Sequence, residues 1–387
     1  MKITHIHIER FRGFQNEDFE VGSLLTAIAG QNGTQKSTLL GIITQTFTLK
    51  TEDSMRVEKP LCGGSYISAF KDKFRLSPTF DKPKGHEWTI SFDAGMDDFT
   101  VESIKRTGDP NVRFWKKGTR QEGDGYISFP TIFLSLKRLV PVAEEAKIIT
   151  DDTLLTQEEL NEFKQLHNKI LIAQTPISSA TTITSKNKQS IGVSTELYDW
   201  NQNSMGQDNL GKIILALFSF KRLHDKYPRQ YKGGILAIDE MDATMYPASQ
   251  VELLKVLRKY ASKLNLQILF TTHSMSLLKA MDDLVQEVTK KEETANQAKI
   301  LYLKKVDDKI AIKQGVNFKG IQLDLNVVAE GNNRKKNRIT AYTEDKENIL
   351  FVKAILKSKA FVLDFVDVTL PCSTLMELVT KRVPAFI

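Results

Sequence analysis

The pattern of apolar and polar residues predicts strands at both ends of the first 280 residues. In "KITHIHIERF", Ile6 and Ile8 alternate with polar neighbours, which is typical of a strand with one buried face. "LLTAIAG" is a short apolar run that predicts a buried strand. Farther along, the apolar runs "GGILAIDE" and "LQILFTTHS" are separated by the helical pattern "PASQVELLKVLRKYASKL". Alternating strands and helices predict a parallel sheet that is covered on both faces.

Two segments between these regions have other patterns. Residues 60 to about 130 contain short aromatic-rich stretches with Pro and Gly turn signals, which predict an antiparallel sheet lobe. Residues 142 to about 200 read as a helical insertion, because "TQEELNEFKQLHNKILIA" has helical spacing. Thr156 and Glu159 are placed as a capping box at its start. "SSATTITSKNKQS" is Ser/Thr-rich and predicts a polar loop.

A candidate phosphate-binding loop follows the second predicted strand. "AGQNGTQKST" matches the P-loop pattern of Gly, four residues and Gly-Lys-Ser/Thr, except that Gln35 replaces the second glycine. A strand, this loop and the helix "KSTLLGIITQTF" follow one another in the order that phosphate binding requires. We expect Gln35 to adopt a positive φ, at a cost of roughly 1–2 kcal/mol, and hydrolysis to be slow while binding survives. The predicted nucleotide-binding residues of the loop are Gly30, Gln31, Asn32, Gly33, Thr34, Gln35, Lys36, Ser37 and Thr38.

Two acids at the end of "ILAIDE" are the natural complement of a P-loop. Functional residues of parallel sheets lie at the carboxyl ends of the strands, and Asp239 directly follows an apolar strand. Mg²⁺ prefers hard oxygen ligands, so Ser37 and Asp239 are the predicted metal ligands. Glu240 is placed to orient or deprotonate the attacking water. The predicted cofactors are ATP and Mg²⁺.

Further candidates lie at another strand end and at a helix start. His273 closes the strand "LFTTHS" and could donate a hydrogen bond to a γ-phosphate. Ser204 and Gly206 in "NSMGQDNLGK" come just before a helix, where unpaired N–H groups favour anions. His5 and His7, in contrast, have no acidic or cysteine neighbours within their strand pattern and are expected to face solvent.

Composition indicates the cellular compartment and weakly favours one class of partner. The chain of 387 residues carries a net charge of +7, which leans towards polyanions such as nucleic acid. The only cysteines, Cys62 and Cys372, are far apart, so a zinc site or a disulfide framework is not expected. No apolar run has the length of a signal peptide or a membrane span. A soluble protein of the reducing cytoplasm is expected.

Five ordered motifs resemble the ABC-type ATPase heads of the branch that contains RecF, coiled-coil repair ATPases and OLD-family nucleases. They are Walker A "GQNGTQKST", the signature "NSMGQ", Walker B "ILAIDE", the D-loop "MDATMYP" and the switch histidine in "TTHS". "IHIERFRGF" and "FLSLKRLVP" also resemble this branch, and the short insertion favours the OLD-like group. The signature of this branch is usually Ser-Gly-Gly, and Met205 replaces one of its glycines here.

This resemblance implies an α/β P-loop NTPase fold for residues 1–335, with the antiparallel lobe and the helical insertion. It implies that Asp242 of the D-loop belongs with the nucleotide-binding residues. It also implies a homodimer, or a higher homo-oligomer, in which Ser204 and Gly206 contact the partner's nucleotide.

Residues 336–387 resemble the first part of a TOPRIM domain, a metal-dependent nuclease module. After "GNNRKKNR", the strands "ITAYTE" and "FVDVTL" alternate with two helices, and "VPAFI" predicts the start of a third strand. Glu344 matches the TOPRIM glutamate and is a predicted metal ligand and catalytic residue, although Asp345 stands where that family has glycine. Because the remaining acids are missing, the chain is expected to continue past Ile387, and DNA endonuclease activity is expected only of the complete protein and not of these 387 residues alone.

The function implied is a dimeric ATP-binding head that controls DNA cleavage by a fused TOPRIM nuclease. Its expected setting is bacterial antiphage defence, including defence systems associated with retrons. DNA and a defence-system protein or nucleic acid are the expected partners, and a membrane is not. Two alternatives are an ATPase sensor acting on a separate effector, like Septu- or PARIS-type ATPases, and a RecF-like loading factor for DNA repair.

Overall fold

A computed structural model describes most of the chain, and its contacts divide the chain into two compact units. The first unit is Met1–Gln322 and the second is Leu323–Ile387. The described residues are 1–67, 73–93, 95–105, 112–118, 125–140, 148–151, 154–185, 189–330, 339–357, 360, 363–369 and 371–381.

The described strands of the first unit form a central parallel sheet, an antiparallel sheet and two small sheets. They are β1 (Ile3–Phe11), β2 (Phe14–Glu20), β3 (Leu25–Gly30), β4 (Phe47–Thr48), β5 (Glu87–Phe92), β6 (Phe99–Lys105), β7 (Val112–Lys116), β8 (Ile127–Ser128), β9 (Thr131–Leu134), β10 (Ile149–Asp151), β11 (Ser179–Thr184), β12 (Gln189–Ser194), β13 (Gly234–Ile238), β14 (Leu266–Thr272), β15 (Ala298–Val306) and β16 (Lys309–Lys313). The described α-helices up to the second unit are α1 (Lys36–Thr44), α2 (Gln157–Leu171), α3 (Met205–Lys226), α4 (Pro247–Lys263), α5 (Met275–Val288) and α6 (Phe318–Glu330).

The central sheet confirms the predicted parallel arrangement. Its strand order is β16-β15-β3-β14-β13-β9, in which only the edge strand β16 pairs antiparallel. Every residue of β3, β13 and β14 is buried, as expected of strands covered on both faces. The register pairs Ile238 with Phe270 and Thr272 with Ala29. The carboxyl ends of β3, β14 and β13 therefore lie side by side at one edge of the sheet.

The predicted antiparallel lobe is also present, with strand order β2-β1-β5-β6-β7. Its aromatic residues pack with the central sheet in one core, where the rings of Phe11, Trp88 and Phe114 are in contact. On the outer face, His5 and His7 are partly exposed, as predicted, but the expectation that they lack an acidic neighbour was wrong. His5 and His7 do have an acidic partner, because the cross-strand pairing brings Asp18 within 3.1 and 2.9 Å of their ring nitrogens.

The insertion is less helical than its sequence pattern predicts. It contains α2, whose capping box of Thr156 and Glu159 is confirmed, and also the antiparallel sheet β10-β11-β12. The predicted loop "SSATTITSKNKQS" is wrong, since residues 179–184 and 189–190 lie in β11 and β12. Thr residues suit a pleated strand, and pairing buries Ile183 against the partner strand.

A buried histidine in α2 predicts an acid-sensitive insertion. Burial lowers the pKa of His167 to about 4. The unfolded chain takes up a proton near pH 6.5 and the folded chain does not, so stability falls as the pH drops from about 6.5 towards 4, by up to roughly 3 kcal/mol. We expect His167→Leu to reduce the change in the thermal unfolding midpoint between pH 7.5 and pH 5. His224→Gln, at an exposed histidine of α3, is the control and should keep the wild-type slope. An unchanged slope in His167→Leu would contradict the assignment.

The second unit contains a parallel β-α-β-α segment of β17 (Ile339–Thr343), α7 (Lys346–Leu356), β18 (Leu363–Thr369) and α8 (Cys372–Thr380). This order agrees with the strand and helix pattern of the sequence. The predicted third strand "VPAFI" lies outside the described residues, as does the whole of "GNNRKKNR". Within the described part of the chain, no helix is long and apolar enough to cross a membrane.

Candidate nucleotide site

The P-loop connects the end of β3 to the start of α1 and depends on tight backbone packing. A Cβ atom on Gly30 would lie 2.4 Å from the carbonyl oxygen of Leu303, so only glycine fits there. Gly33 has a φ of 80°. Gln35 is the residue before α1 and has a φ of 61°, which confirms the left-handed conformation expected at this substituted position.

The side chain of Gln35 adds a second free-energy cost to the strain of the left-handed backbone. It packs against the β1–β2 turn, where a Cβ atom on Gly13 would lie 2.9 Å from its Nε2 atom. Its Oε1 atom is buried and has no hydrogen-bond partner in the described part of the chain. A buried acceptor of this kind costs about 1–3 kcal/mol.

Replacing Gln35 by glycine should relieve both costs and speed up turnover. We expect Gln35→Gly to raise the rate of ATP hydrolysis severalfold, because the relaxed loop approaches phosphate more closely. Gln35→Ala is the matched control, since it removes the side chain but keeps a Cβ atom at positive φ. The glycine variant should unfold with a free energy about 1 kcal/mol higher than the alanine variant. Equal hydrolysis rates in Gln35→Gly and the wild type would count against the role given to this residue.

Lys36 lies inside the loop. Its Nζ atom donates hydrogen bonds to the carbonyl oxygens of Gly30, at 3.1 Å, and Gln31, at 2.9 Å. Thr34 closes the same loop by donating from Oγ1 to the Gln31 carbonyl at 2.8 Å. Burial lowers the pKa of Lys36, against the opposing charges of neighbouring acids. The ammonium group is thus held where a P-loop lysine meets phosphate.

The two predicted metal ligands are adjacent although they are far apart in sequence. Ser37 Oγ donates a hydrogen bond to Asp239 Oδ1 at 2.9 Å, and Thr271 Oγ1 donates to the same oxygen at 2.7 Å. Asp239 is buried. A hydroxyl and a carboxylate side by side are a donor set that suits Mg²⁺. The described residues contain no group of three His, Cys, Asp or Glu side chains that could hold a metal, so Mg²⁺ would complete its shell with phosphate and water oxygens.

Glu240 has a backbone that is fixed from both sides. Its φ is 49°, its N–H donates to Thr271 Oγ1 at 2.6 Å, and its carbonyl accepts from Arg138 Nη2 at 2.8 Å. His273, at the end of the neighbouring strand, donates from its backbone N–H to Asp242 Oδ1 at 3.4 Å. Burial and the Lys36 ammonium lower the pKa of His273, so its ring is neutral at pH 7.

The segment that resembles the ABC signature begins α3. Ser204 caps this helix in a capping box with Gln207, whose N–H donates to Ser204 Oγ at 3.3 Å. Gly206, in the first turn, lies against the D-loop, and a Cβ atom there would be 2.5 Å from the Thr244 carbonyl oxygen. The contacts described for Ser204 and Gly206 are therefore with their own helix and with the D-loop.

Arg12 was missed by the motif analysis. It lies in the β1–β2 turn with a φ of 52°, and its Nη1 atom donates to Thr38 Oγ1 at 3.4 Å. Its guanidinium also pairs with Asp81. Burial alone would raise the pKa of Asp81, but hydrogen bonds from Arg12, Ser77 and His86 hold it at about 2. The only sequence signal was the basic turn in "IERFRGF".

Glu344 lies in the second unit, directly after β17, and is exposed. The side chain of the adjacent Asp345 caps α7 by accepting a hydrogen bond from the Asn348 N–H at 2.8 Å. The proposed metal and catalytic role of Glu344 stays a prediction.

Comparison with models of known protein families gives a match in the middle of the chain. The family model described as AAA ATPase domain matches residues 134–278, which include Asp239, Glu240 and His273. Together with the P-loop and the parallel sheet, this match makes the first unit an α/β P-loop ATPase fold. In a sequence comparison, no curated protein matches the chain.

Three solved structures illustrate the similarity of the chain path. The SMC head domain from Thermotoga maritima has 14% identity and a TM-score of 0.45, with 82% of this chain and 100% of that chain covered. The Pyrococcus furiosus Smc head bound to the C-terminal domain of ScpA has 13% identity and a TM-score of 0.45, with 85% and 99% covered. The recombination mediator RecF has 11% identity and a TM-score of 0.41, with 81% and 98% covered.

Proposed function

We propose that the first unit binds ATP with Mg²⁺ and hydrolyses it. The observation that carries this proposal is the contact of Ser37 with Asp239, beside Lys36 and Glu240, at the carboxyl edge of the parallel sheet. When bound, MgATP supplies the phosphoanhydride bond and the cation that polarises it. Lys36 would neutralise phosphate charge, and Ser37 and Asp239 would hold the cation.

Glu240 accepts the proton of the attacking water in this proposal, since its backbone is fixed on both sides and its neighbour Asp239 is engaged with Ser37. His273 is neutral and can donate one ring N–H to a terminal phosphate. Magnesium-dependent release of phosphate from ATP by the purified protein is the direct test. A protein that binds no ATP would refute the proposal.

We further propose that two copies share each site, with Ser204 and Gly206 of one copy meeting the nucleotide of the other. The exposed Ser204 cap and the adjacent half-exposed Met205 at the start of α3 support this, because a helix start favours anions. In a two-fold dimer, each copy then contributes one P-loop and one signature segment.

Mixing two inactive variants tests the sharing of sites. Lys36→Ala chains combined with Ser204→Arg chains should recover about a quarter of wild-type hydrolysis, because half of the dimers are mixed and each has one intact site. The control replaces the second chain by the double variant Lys36→Ala/Ser204→Arg, and should recover nothing. Absence of recovery after mixed dimers are confirmed would argue for sites built within one chain.

For the whole chain, we propose that the ATPase controls metal-dependent cleavage of DNA by a TOPRIM-like module in antiphage defence. The parallel β-α-β-α order of the second unit and the exposed Glu344 after β17 support it, as does the net charge of +7. Its test is cutting of plasmid DNA with Mg²⁺ or Mn²⁺, compared with Glu344→Gln. The competing proposal, an ATPase sensor that acts on a separate effector, is favoured by the use of Asp345 as a helix cap.

A further inference from the structure

Arg138 is a buried cation that belongs to none of the sequence motifs of the nucleotide site. It lies in the turn after β9 with an exposed fraction of only 2%. Its Nε atom donates to Asn209 Oδ1 at 2.7 Å, and Nη2 donates to the Glu240 carbonyl at 2.8 Å. Nη1 donates to the carbonyl oxygens of Leu134 and Ser135 at 3.2 and 3.1 Å. All three nitrogen atoms are therefore used in fixing the backbone and Asn209.

The charge of Arg138 is compensated by the acids of the site. Burial lowers its pKa to about 10, against the opposing charges of Asp239, Glu240 and Asp242. The guanidinium is still protonated at pH 7. A buried charge is kept only where hydrogen bonds and opposite charges surround it. Here the opposite charges come from the Walker B strand end and the D-loop, and the hydrogen bonds from Asn209 and three backbone carbonyls.

Asn209 extends this arrangement from Glu240 to the signature helix. It is fully buried in the second turn of α3, and its Nδ2 atom donates to the Ala243 carbonyl of the D-loop at 2.9 Å. One turn earlier, Gly206 lies against the Thr244 carbonyl. Thr244 has a φ of 67°, which is unusual for a β-branched residue. Such strained backbone persists where surrounding contacts over-determine it, as Asn209 and Gly206 do here.

We propose that Arg138 and Asn209 are positioning residues that couple the signature helix to Glu240. The arginine holds the Glu240 carbonyl, and the amide holds α3 to both the arginine and the D-loop. A shift of α3 on engagement with a second copy then moves Glu240 relative to the attacking water, so the pair sets the rate of hydrolysis and not the affinity for ATP. This inference rests on the proposed ATPase function.

Two substitutions break the same hydrogen bond and should have the same effect. Arg138→Lys keeps the charge but loses the fork that reaches Asn209, and Asn209→Ala removes the acceptor. In each we expect kcat to fall about 100-fold, the loss typical of a catalytic group displaced by about 1 Å. The Kd of MgATP should stay within about threefold, since the P-loop is untouched. The loss of kcat in the double variant should be much smaller than the product of the two single losses, because both substitutions break the bond between Arg138 and Asn209.

The matched control is Arg222→Met, which removes a different arginine contact of α3, the ion pair of Arg222 with Glu159. It should leave kcat unchanged. An unchanged kcat in Asn209→Ala would overturn the inference, as would a rise in Kd as large as the fall in kcat or additive losses in the double variant. If Arg138→Lys is too unstable to assay, the kcat of Asn209→Ala alone tests the inference. A wild-type protein that neither binds nor hydrolyses ATP would instead refute the proposed function.

Discussion

Lys36→Ala should abolish measurable binding of ATP. The Lys36 ammonium is buried in the loop and is held by the carbonyl oxygens of Gly30 and Gln31, in the position from which a P-loop lysine contacts phosphate. A charge-assisted contact to phosphate contributes about 3 kcal/mol, so the Kd should rise by at least about 100-fold. Titration calorimetry with MgATP measures the change.

The control for this variant is an exposed lysine of the same unit. Lys59→Ala removes an equal charge away from the loop and should leave the Kd within about twofold of wild type. If Lys36→Ala bound MgATP as tightly as the wild type, the P-loop would not be the phosphate site, and the assignment of Ser37 and Asp239 would fail with it.

Glu240→Gln should trap ATP in the site. The substitution preserves the shape of the side chain, leaves Asp239 and Ser37 in place, and removes only the group that accepts a proton. General base catalysis contributes about 10²- to 10⁴-fold, so kcat should fall by at least about 100-fold while the Kd is unchanged. Single-turnover measurement of bound ATP and ADP separates these two quantities.

Glu252→Gln is the matched control, because Glu252 is a carboxylate of α4 that pairs with Lys255 outside the site. It should hydrolyse ATP at the wild-type rate. Wild-type turnover in Glu240→Gln would assign the proton transfer to another group. The trapped state of Glu240→Gln also provides the sample in which dimer formation is measured, since bound ATP should hold two copies together.

The sequence determined the features that depend on neighbours along the chain. Fully apolar runs identified β3, β13 and β14, because a strand covered on both faces must be apolar throughout. Residues placed directly after such strands had to meet at one edge of the sheet, which is why position alone predicted that Asp239, Glu240 and His273 lie at that edge. The left-handed backbone of Gln35 was also foreseen, since the P-loop requires that conformation whichever residue stands there.

Local pattern was misleading where pairing decided the outcome. The Ser/Thr-rich stretch around residue 182 has the polarity of a loop, yet β11 and β12 pair there because each satisfies the backbone of the other, and Ile183 and Ile191 of the two strands are buried. For the same reason, Asp18 became the partner of His5 and His7. The partner lies across a hairpin, and only the strand register shows it.

The tertiary structure alone decided which remote side chains support the site. Arg138 and Arg12 lie in "FLSLKRLVP" and "IHIERFRGF", two segments that resemble the ATPase branch, but nothing in either segment indicates what these arginines contact. Arg138 reaches Asn209 and Glu240, and Arg12 reaches Thr38, because the packing of separate elements brings them within hydrogen-bond distance. A phosphate-binding loop consists of consecutive residues, so the sequence pattern predicts it. The contacts that hold its catalytic partners depend on strand register and helix packing, which arise only when distant segments bury their apolar faces together.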